Sequence, residues 1–187
     1  MTKVAFNDET KEMSRHVLKY DGKTPDFDST VFVAPGAFVI GDVTIGKESS
    51  VWFNVVIRGD IHYVRIGKRT NIQDNSVIHV TSHTGPVNIG DEVTIGHGAI
   101  LHGCTIEDRC LIGMGAIILD GAVIEKNCIV AAGALVPPGK RFRSGSLVLG
   151  SPATVSRMLT EEELNFLILS ANHYVETSSQ YIQMLHR

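Results

Sequence analysis

The chain has 187 residues, enough for one domain with a sizeable buried core and a short appendage. Its formal net charge is −3 and its basic residues form no cluster, so we expect neither nucleic acid nor an anionic membrane surface as a partner. Charged residues make up only 20% and there are 18 glycines, a composition that favours a solenoid with small corner residues over a helical bundle.

The sequence predicts no membrane span and no export signal. No apolar run approaches the roughly 20 residues that a spanning helix needs, and residues 1–5 lack the apolar segment of a signal peptide. The three cysteines are an odd number, which argues against a disulfide framework. We therefore expect a cytoplasmic protein whose cysteines are small buried hydrophobic side chains.

Residues 1–30 are predicted to form an N-terminal tail and a lead-in. The first 14 residues are polar and lack a period, whereas residues 15–30 contain Pro25 and three aspartates and are expected to cap the structure that follows. This segment is therefore expected to contribute little to the core.

In the region 31–153 an aliphatic residue recurs, in most repeats at every sixth position, and glycine often follows it. The recurring positions are Val33, Val39, Ile45, Val51, Ile57, Ile66, Ile72, Ile78, Ile89, Ile95, Leu101, Ile106, Ile112, Ile118, Ile124, Val130 and Val136. A hexapeptide period predicts an all-β solenoid, a parallel β-helix in which each repeat supplies one short strand and one turn.

Two of the repeats are longer than six residues. The interval from Ile57 to Ile66 is nine residues, and the interval from Ile78 to Ile89 is eleven. The extra residues are expected to leave the solenoid as corner loops that include 60–64 and 82–87.

Residues 154–187 are predicted to form a C-terminal α-helix. The pattern changes after Leu159, where residues 160–163 have the sequence of a capping box with an acidic first turn. Apolar and small residues then follow at steps of three and four: Leu164, Leu167, Ala171, Tyr174, Ser178, Tyr181 and Leu185. This stripe is expected to pack against the chain's own solenoid or against a neighbouring subunit.

Three histidines lie at stacked positions within the repeats. Three repeats close one triangular coil, and coils stack at about 4.8 Å. Counted by face, His79 and His102 both follow an inward aliphatic residue and share an outward column with Arg58. Two imidazoles one coil apart can share a metal ion. His97 lies on the preceding face, so we expect it to reach that ion only from a neighbouring subunit.

This arrangement predicts a homotrimer with a metal site at each interface. A head-to-tail contact between the two faces closes as a ring, and a triangular prism suits three subunits. Three neutral imidazoles suit Zn²⁺ with a fourth position left for water, and Fe²⁺ or Co²⁺ is also compatible with them. Any one of these histidines alone would more often be a solvated surface residue, but their stacking favours a metal site.

Four segments of the chain resemble the γ-class carbonic anhydrases. They are 51–54, the Arg-Gly-Asp segment at 57–60, the Gln-Asp segment at 71–79 and the two-histidine segment at 95–104, within a similarity that covers roughly 18–175. The resemblance implies a left-handed parallel β-helix, a homotrimer, and a zinc lyase that converts carbon dioxide to bicarbonate. The left hand rests on this resemblance, because crossovers between parallel strands are otherwise nearly always right-handed.

The resemblance also implies roles for the matched residues of the site. His79 and His102 of one subunit and His97 of the next would bind zinc. Gln73 would hydrogen-bond the metal-bound hydroxide that attacks carbon dioxide. Tyr174 is the candidate for a helix tyrosine at the site, and a place in the core on the helix stripe is an equally good interpretation of it.

The remaining implied roles concern the interface and the subclass. Arg58, Asp60 and Asp74 resemble an interface ion-pair cluster. The residue after Asp60 is Ile61 and the loop 82–86 contains no acid, which resembles the shorter subclass that lacks the acidic loop.

Alternative functions remain open on the sequence alone. The repeats and the segment 150–153 also fit a hexapeptide-repeat acyltransferase, of which a metal-dependent thioesterase would be a variant. A catalytically silent, metal-stabilised trimeric scaffold is the second alternative. The acyltransferase chemistry needs one catalytic histidine and gives no role to three histidines with a Gln-Asp pair.

Overall fold

The computed structural model of the chain describes residues 16–185, which form a parallel β-helix followed by one long α-helix. The predicted solenoid with a C-terminal helix is confirmed. The predicted tail at residues 1–14 lies outside the described residues. In the part of the chain that is described, no helix is long and apolar enough to cross a membrane.

The strands and the helix are numbered in chain order. They are β1 (Val17–Leu18), β2 (Asp26–Phe27), β3 (Phe32–Val33), β4 (Phe38–Ile45), β5 (Ser50–Val51), β6 (Val56–Ile66), β7 (Asn71–Ile72), β8 (Val77–His79), β9 (Val87–Ile89), β10 (Thr94–Ile95), β11 (Ile100–His102), β12 (Thr105–Ile106), β13 (Leu111–Ile112), β14 (Ile117–Ile118), β15 (Val123–Ile124), β16 (Ile129–Val130), β17 (Leu135–Val136), β18 (Arg141–Phe142), β19 (Ser146–Gly150), β20 (Ala153–Met158) and α1 (Glu161–Leu185).

Strands one coil apart pair in parallel and in register, which stacks the recurring aliphatic residues on three faces. Face A carries Val39, Ile57, Ile78, Leu101, Ile118 and Val136. Face B carries Ile45, Ile66, Ile89, Ile106, Ile124 and Phe142. Face C carries Val33, Val51, Ile72, Ile95, Ile112, Val130 and Val148. All of these side chains are buried in one continuous core, as the hexapeptide period predicts.

The lead-in lies along the first coil. The short strands β1 and β2 both pair in parallel with β4, so residues 16–30 cover the backbone edge that the first full coil would otherwise expose. The expected capping role of this segment is confirmed for the described residues.

The nine-residue repeat does not form a loop, so the prediction for residues 60–64 is wrong. These residues lie within β6, which pairs with β4 along both faces A and B. The register shifts between Gly41 and Val43, and the extra residues of β6 are absorbed there as a bulge. The physical reason is that β4 and β6 both continue round the corner and pair again at Val43 and Val64, so the inserted residues stay within the strand as a bulge.

The eleven-residue repeat does form a turn. Residues 82–84 turn back between Thr81 and Gly85, whose backbones form an antiparallel bridge. Of the predicted loop at 82–87, only Val87 belongs to a strand, β9. This insertion brings Thr81 to the outer surface of the corner between faces A and B.

The C-terminal segment begins with a strand, which corrects the helical assignment of residues 154–158. Strand β20 pairs antiparallel with β19, the last strand of face C. Without β20 the backbone groups of β19 would be an open sheet edge, and the returning strand satisfies them. The predicted helix boundary was wrong because residues 154–158 become a strand by pairing with β19, and their own sequence pattern does not show that partner.

The helix α1 begins at Glu161 with the predicted capping box. The backbone N–H of Glu163 donates to Thr160 Oγ1 at 3.2 Å, and the backbone N–H of Thr160 donates to Glu163 Oε2 at 2.9 Å. This reciprocal pair satisfies amide groups that the first turn of a helix leaves without partners.

The helix packs on face C of its own solenoid, which decides between the two packings that the sequence allowed. It contacts β3, β5, β7 and β10, and it buries Leu167, Ala171 and Ser178. Near its C-terminal half, Tyr174 and Tyr181 join a cluster of aromatic residues around Trp52.

Candidate metal centre

Face A places His79 and His102 side by side. They are register partners in β8 and β11, and Arg58 is the register partner of His79 in β6, so the predicted outward column is confirmed. His79 Nδ1 and His102 Nε2 lie 3.1 Å apart. The side chains are 18% and 33% exposed, so the pair is open to solvent at the surface of the solenoid.

An aspartate contacts the far nitrogen of each of these two rings. His79 Nε2 lies 3.0 Å from Asp60 Oδ1, and His102 Nδ1 lies 3.0 Å from Asp120 Oδ2. An ionised carboxylate only accepts hydrogen bonds, so each of these two ring nitrogens carries the hydrogen. A neutral ring then keeps its lone pair on the other nitrogen, and the two lone pairs face each other.

The pKa shifts favour this distribution of protons. Burial raises the pKa of the Asp60 carboxyl, but hydrogen bonds from Arg58 and His79 bring it below its usual value overall. A hydrogen bond from Thr81 lowers the pKa of Asp120. Burial lowers the pKa of His79 and so favours its neutral ring. Ionised aspartates and a neutral His79 are the expected state near pH 7.

Two facing lone pairs repel each other unless a cation lies between them. In a tetrahedral zinc site with Zn–N bonds of about 2.05 Å, two ligand nitrogens lie about 3.3 Å apart. The 3.1 Å between His79 Nδ1 and His102 Nε2 is close to that value. The chemistry and the spacing of this donor pair therefore fit a zinc ion.

His97 lies on a different face, at the corner that follows β10. Its Nδ1 is 2.8 Å from Asp74 Oδ2, and its side chain is 48% exposed. The two residues are stacked one coil apart, because the backbone N–H of Gly98 donates to the Asp74 carbonyl at 2.9 Å. The aspartate occupies Nδ1 and leaves Nε2 of His97 available to a ligand.

One chain does not bring the three histidines together. Among the described residues, no group of three or more His, Cys, Asp or Glu side chains is arranged to hold one metal ion. His79 and His102 form a pair on face A, and His97 stands apart on face C.

Gln73 and Tyr174 lie on the same face as His97. Gln73 is only 6% exposed, and its Nε2 donates to Asn71 Oδ1 at 3.2 Å. Tyr174 packs edge-on against Trp52 with 5.7 Å between the ring centroids. Burial raises the pKa of Tyr174, and the charge of nearby Asp74 adds to that rise. The tyrosine is therefore part of the helix packing and also near the aspartate that contacts His97.

The three residues expected to form an ion-pair cluster are divided within one chain. Arg58 pairs with Asp60 on face A, whereas Asp74 pairs with His97 on face C. Arg58 remains 42% exposed, so its guanidinium is accessible to further acceptors.

Two residues that contact the histidine pair, Asp120 and Thr81, were not predicted from the sequence. Asp120 accepts from Thr81 Oγ1 and lies against His102. A signal was present in the column pattern, since the corner residue of the next coil stacks on Gly103. The backbone N–H of Gly121 donates to the Gly103 carbonyl at 2.7 Å. Gly103 directly follows His102, and Asp120 lies one coil later beside it. This pairing of an acid with a glycine next to a candidate ligand is visible in the sequence.

Comparison with known proteins gives related sequences along most of the chain. Family models described as Bacterial transferase hexapeptide (six repeats) match residues 86–120 and 103–138, and one described as Hexapeptide repeat of succinyl-transferase matches 63–102. Gamma carbonic anhydrase 1, mitochondrial, of Arabidopsis thaliana is 50% identical over 171 residues, 88% of this chain and 62% of that protein. Carbonic anhydrase of Geobacillus kaustophilus is 46% identical over 165 residues, 88% of this chain and 90% of that protein.

A solved structure is similar as well. The crystal structure of a hexapeptide transferase family protein from Anaplasma phagocytophilum superposes with a TM-score of 0.86 at 46% identity, covering 89% of this chain and 99% of that one. The chain spans about three fifths of the length of the first plant relatives that it matches, 62% in each case.

Proposed function

Because the chain belongs to the γ-class carbonic anhydrase family, we propose that it is a metal-dependent lyase that interconverts carbon dioxide and bicarbonate. One observation carries the proposal. Each of His79, His97 and His102 has an aspartate oxygen within 3.0 Å of one ring nitrogen, and so keeps its other nitrogen for a ligand. Carboxylate-held imidazoles are the usual environment of metal-binding histidines.

The proposed ion is zinc, held by His79 and His102 of one subunit and by His97 of a neighbouring subunit. Fe²⁺ and Co²⁺ are further candidates for the same nitrogen ligands. A zinc ion with three imidazoles supplies hydroxide at neutral pH by lowering the pKa of water, as carbonic anhydrases in general illustrate. Asp60, Asp120 and the neighbour's Asp74 would hold the three rings in the required tautomer.

The proposed assembly is a homotrimer in which face A of one subunit packs on the His97 corner of the next. Support comes from exposed aliphatic side chains beside the histidine pair: Val77 is 38% exposed and Ile100 is 40% exposed. They are register partners within an outward aliphatic column that also contains Val56 and Ile117. A row of exposed aliphatic residues is costly in water, and a second subunit would cover it.

The same packing would bring Gln73 to the metal centre. Gln73 precedes Asp74 directly, so it would approach the neighbour's histidine pair together with His97. Its Nε2 donates to Asn71, which fixes the carboxamide and leaves Oε1 to accept a hydrogen bond from the attacking water or hydroxide. Tyr174 is proposed to position the substrate from the side of the helix. Arg58 would pair across the same interface with the neighbour's Asp74.

An acyltransferase or thioesterase is the second candidate function, because the matching family models and the similar solved structure carry transferase names. That chemistry gives no role to three histidines held by three aspartates. A trimeric scaffold stabilised by metal is the non-enzymatic candidate.

The test is a carbon dioxide hydration assay on protein loaded with zinc and, anaerobically, with Fe²⁺. We expect hydration that follows the metal content and disappears in the metal-free protein. If the metal-loaded protein hydrates carbon dioxide no faster than buffer does, the scaffold function is favoured. Metal-dependent cleavage of an acyl thioester would instead favour the thioesterase. The expected cytoplasmic location stays a prediction, since the plant relatives are named as mitochondrial.

A further inference from the structure

We infer that Asp120 and Thr81 are positioning residues that fix the tautomer and the direction of the His102 ring. This inference rests on the proposed function, because it concerns which nitrogen His102 offers to the metal. It assigns a role to the insertion between β8 and β9, which otherwise looks like a tolerated surface loop.

The contacts place both residues on one nitrogen of His102. The two carboxylate oxygens of Asp120 lie 3.1 and 3.0 Å from His102 Nδ1. Thr81 donates its hydroxyl hydrogen to Asp120 Oδ1, and its Oγ1 lies 3.4 Å from the same ring nitrogen. The threonine thus restrains the carboxylate that restrains the ring.

The Asp120 carboxylate fits beside the backbone of Gly103 only because this residue has no side chain. A Cβ added to Gly103 would lie 2.6 Å from Asp120 Oδ1, closer than real contacts allow, and Gly103 has a φ of +54°. The corner is tied to its neighbours by backbone hydrogen bonds of 3.1 Å from Gly103 N–H to His79 O and 2.7 Å from Gly121 N–H to Gly103 O. The carboxylate therefore occupies a defined space against the His102 ring.

The inserted turn supplies the other half of the arrangement. Thr81 bridges to Gly85 across residues 82–84, and a Cβ on Gly85 would lie 2.7 Å from Thr81 Cβ. The close packing of these two residues holds the threonine hydroxyl over Asp120. Three segments, the turn after β8 and the corners after β11 and β14, thus converge on His102 Nδ1.

The chemical consequence is the choice of tautomer. Because a carboxylate only accepts, Asp120 requires the hydrogen on Nδ1, which leaves the lone pair on Nε2, the nitrogen that faces His79. An asparagine at this position has an N–H that can donate to Nδ1 and so move the hydrogen to Nε2. In the Asp120→Asn variant, the His102 ring would then have to change tautomer before its Nε2 could bind a metal.

The test measures zinc affinity by competition with a chelator on the full-length protein. We expect Asp120→Asn to bind zinc about 10- to 100-fold more weakly, the range typical for loss of a group behind a metal ligand. Thr81→Val should weaken binding less, and Thr81→Ser, which keeps the hydroxyl, should restore wild-type affinity. Glu125→Gln is the matched control, because Glu125 accepts from Ser144 and Arg141 and contacts no histidine within residues 16–185.

A second measurement uses the metal-free protein. The ¹⁵N chemical shifts of the His102 ring should report hydrogen on Nδ1 in the wild type and a shift toward hydrogen on Nε2 in Asp120→Asn. Thr81→Val and Thr81→Ser with equal zinc affinity, together with an unchanged His102 tautomer in Asp120→Asn, would overturn the inference. A wild-type protein that binds no zinc contradicts the proposed function instead, and the tautomer measurement still decides the role of Asp120.

Discussion

At the scale of single residues, three aspartates decide which ring nitrogen each histidine presents. Asp60 and Asp120 direct the lone pairs of His79 and His102 toward each other, and Asp74 leaves Nε2 of His97 available. With hydrogen on the nitrogens that contact the aspartates, the two facing nitrogens of His79 and His102 need a shared proton or a metal ion between them. The three aspartates together with the three histidines therefore favour a cation site more strongly than the histidines alone.

We expect His79→Ala, His97→Ala and His102→Ala each to lose zinc and to keep the β-rich fold. The three imidazoles lie at the surface, and the buried aliphatic columns need no metal to pack. Metal analysis per chain together with circular dichroism measures both properties. His173→Ala, an exposed histidine on the helix, is the control and should retain normal zinc content. Normal zinc in any one of the three variants removes that residue from the ligand set.

Gln73→Ala should slow hydration while zinc content and assembly stay unchanged. Loss of one preorganised hydrogen bond at a developing charge can cost on the order of 10²-fold in rate, and less if Gln73 only orients the nucleophile. Gln180→Ala, which removes an exposed carboxamide from the helix, is the control and should hydrate carbon dioxide at the wild-type rate. Equal rates for Gln73→Ala and wild type would show that Gln73 is a packing residue at the interface.

At the scale of elements, the hexapeptide period predicted the faces of the solenoid correctly, because each aliphatic residue must be buried on a short strand. The period failed where pairing between coils overrides local pattern. The residues inserted in β6 form a bulge because β4 and β6 pair on both sides of them, and β20 pairs with the otherwise open edge of β19. Asp120 and Thr81 were missed for a similar reason, since corner geometry decides which side chains meet.

Thr160→Ala should lower the free energy of unfolding by about 1 kcal/mol, the usual cost of a lost N-terminal cap. Thr160 accepts from Glu163 N–H at 3.2 Å and completes the capping box of α1. Thr177→Ala is the control, because Thr177 donates to the His173 carbonyl within the helix and alanine is the better helix former there. Chemical denaturation followed by circular dichroism compares the two. A Thr160→Ala variant as stable as Thr177→Ala contradicts the capping role.

At the scale of the whole molecule, the three faces have different surroundings. Face C is covered by α1, whereas the outward side of face A exposes Val77 and Ile100 beside the histidine pair. With two of the proposed ligands on one face and the third on another, the proposed centre can be completed only with a second copy. Light scattering should therefore give about three times the mass of one 20.3 kDa chain. A mass equal to one chain contradicts both the trimer and the shared centre.

Mixing two variants that are each expected to lose zinc tests the shared centre directly. In the proposed ring of three, each site would take His79 and His102 from one subunit and His97 from the next. Any ring that contains both His79→Ala and His97→Ala chains then has one intact site, formed where the unmutated face A meets the unmutated His97. Random exchange at equal amounts should restore about a quarter of the wild-type zinc content, since about three quarters of the rings are mixed and each has one of its three sites intact.

The matched control mixes His79→Ala with His102→Ala chains. Both substitutions remove a ligand from face A, so every face A in the mixture lacks one imidazole and no complete site forms in any ring. Zinc recovered in the first mixture but not in the second requires ligands from two chains, because only the relative placement of the lost histidines differs. No recovery in the first mixture, with subunit exchange verified by mass spectrometry, means that a single chain holds the metal. The second outcome also conflicts with the placement of His97 on face C, away from the His79 and His102 pair.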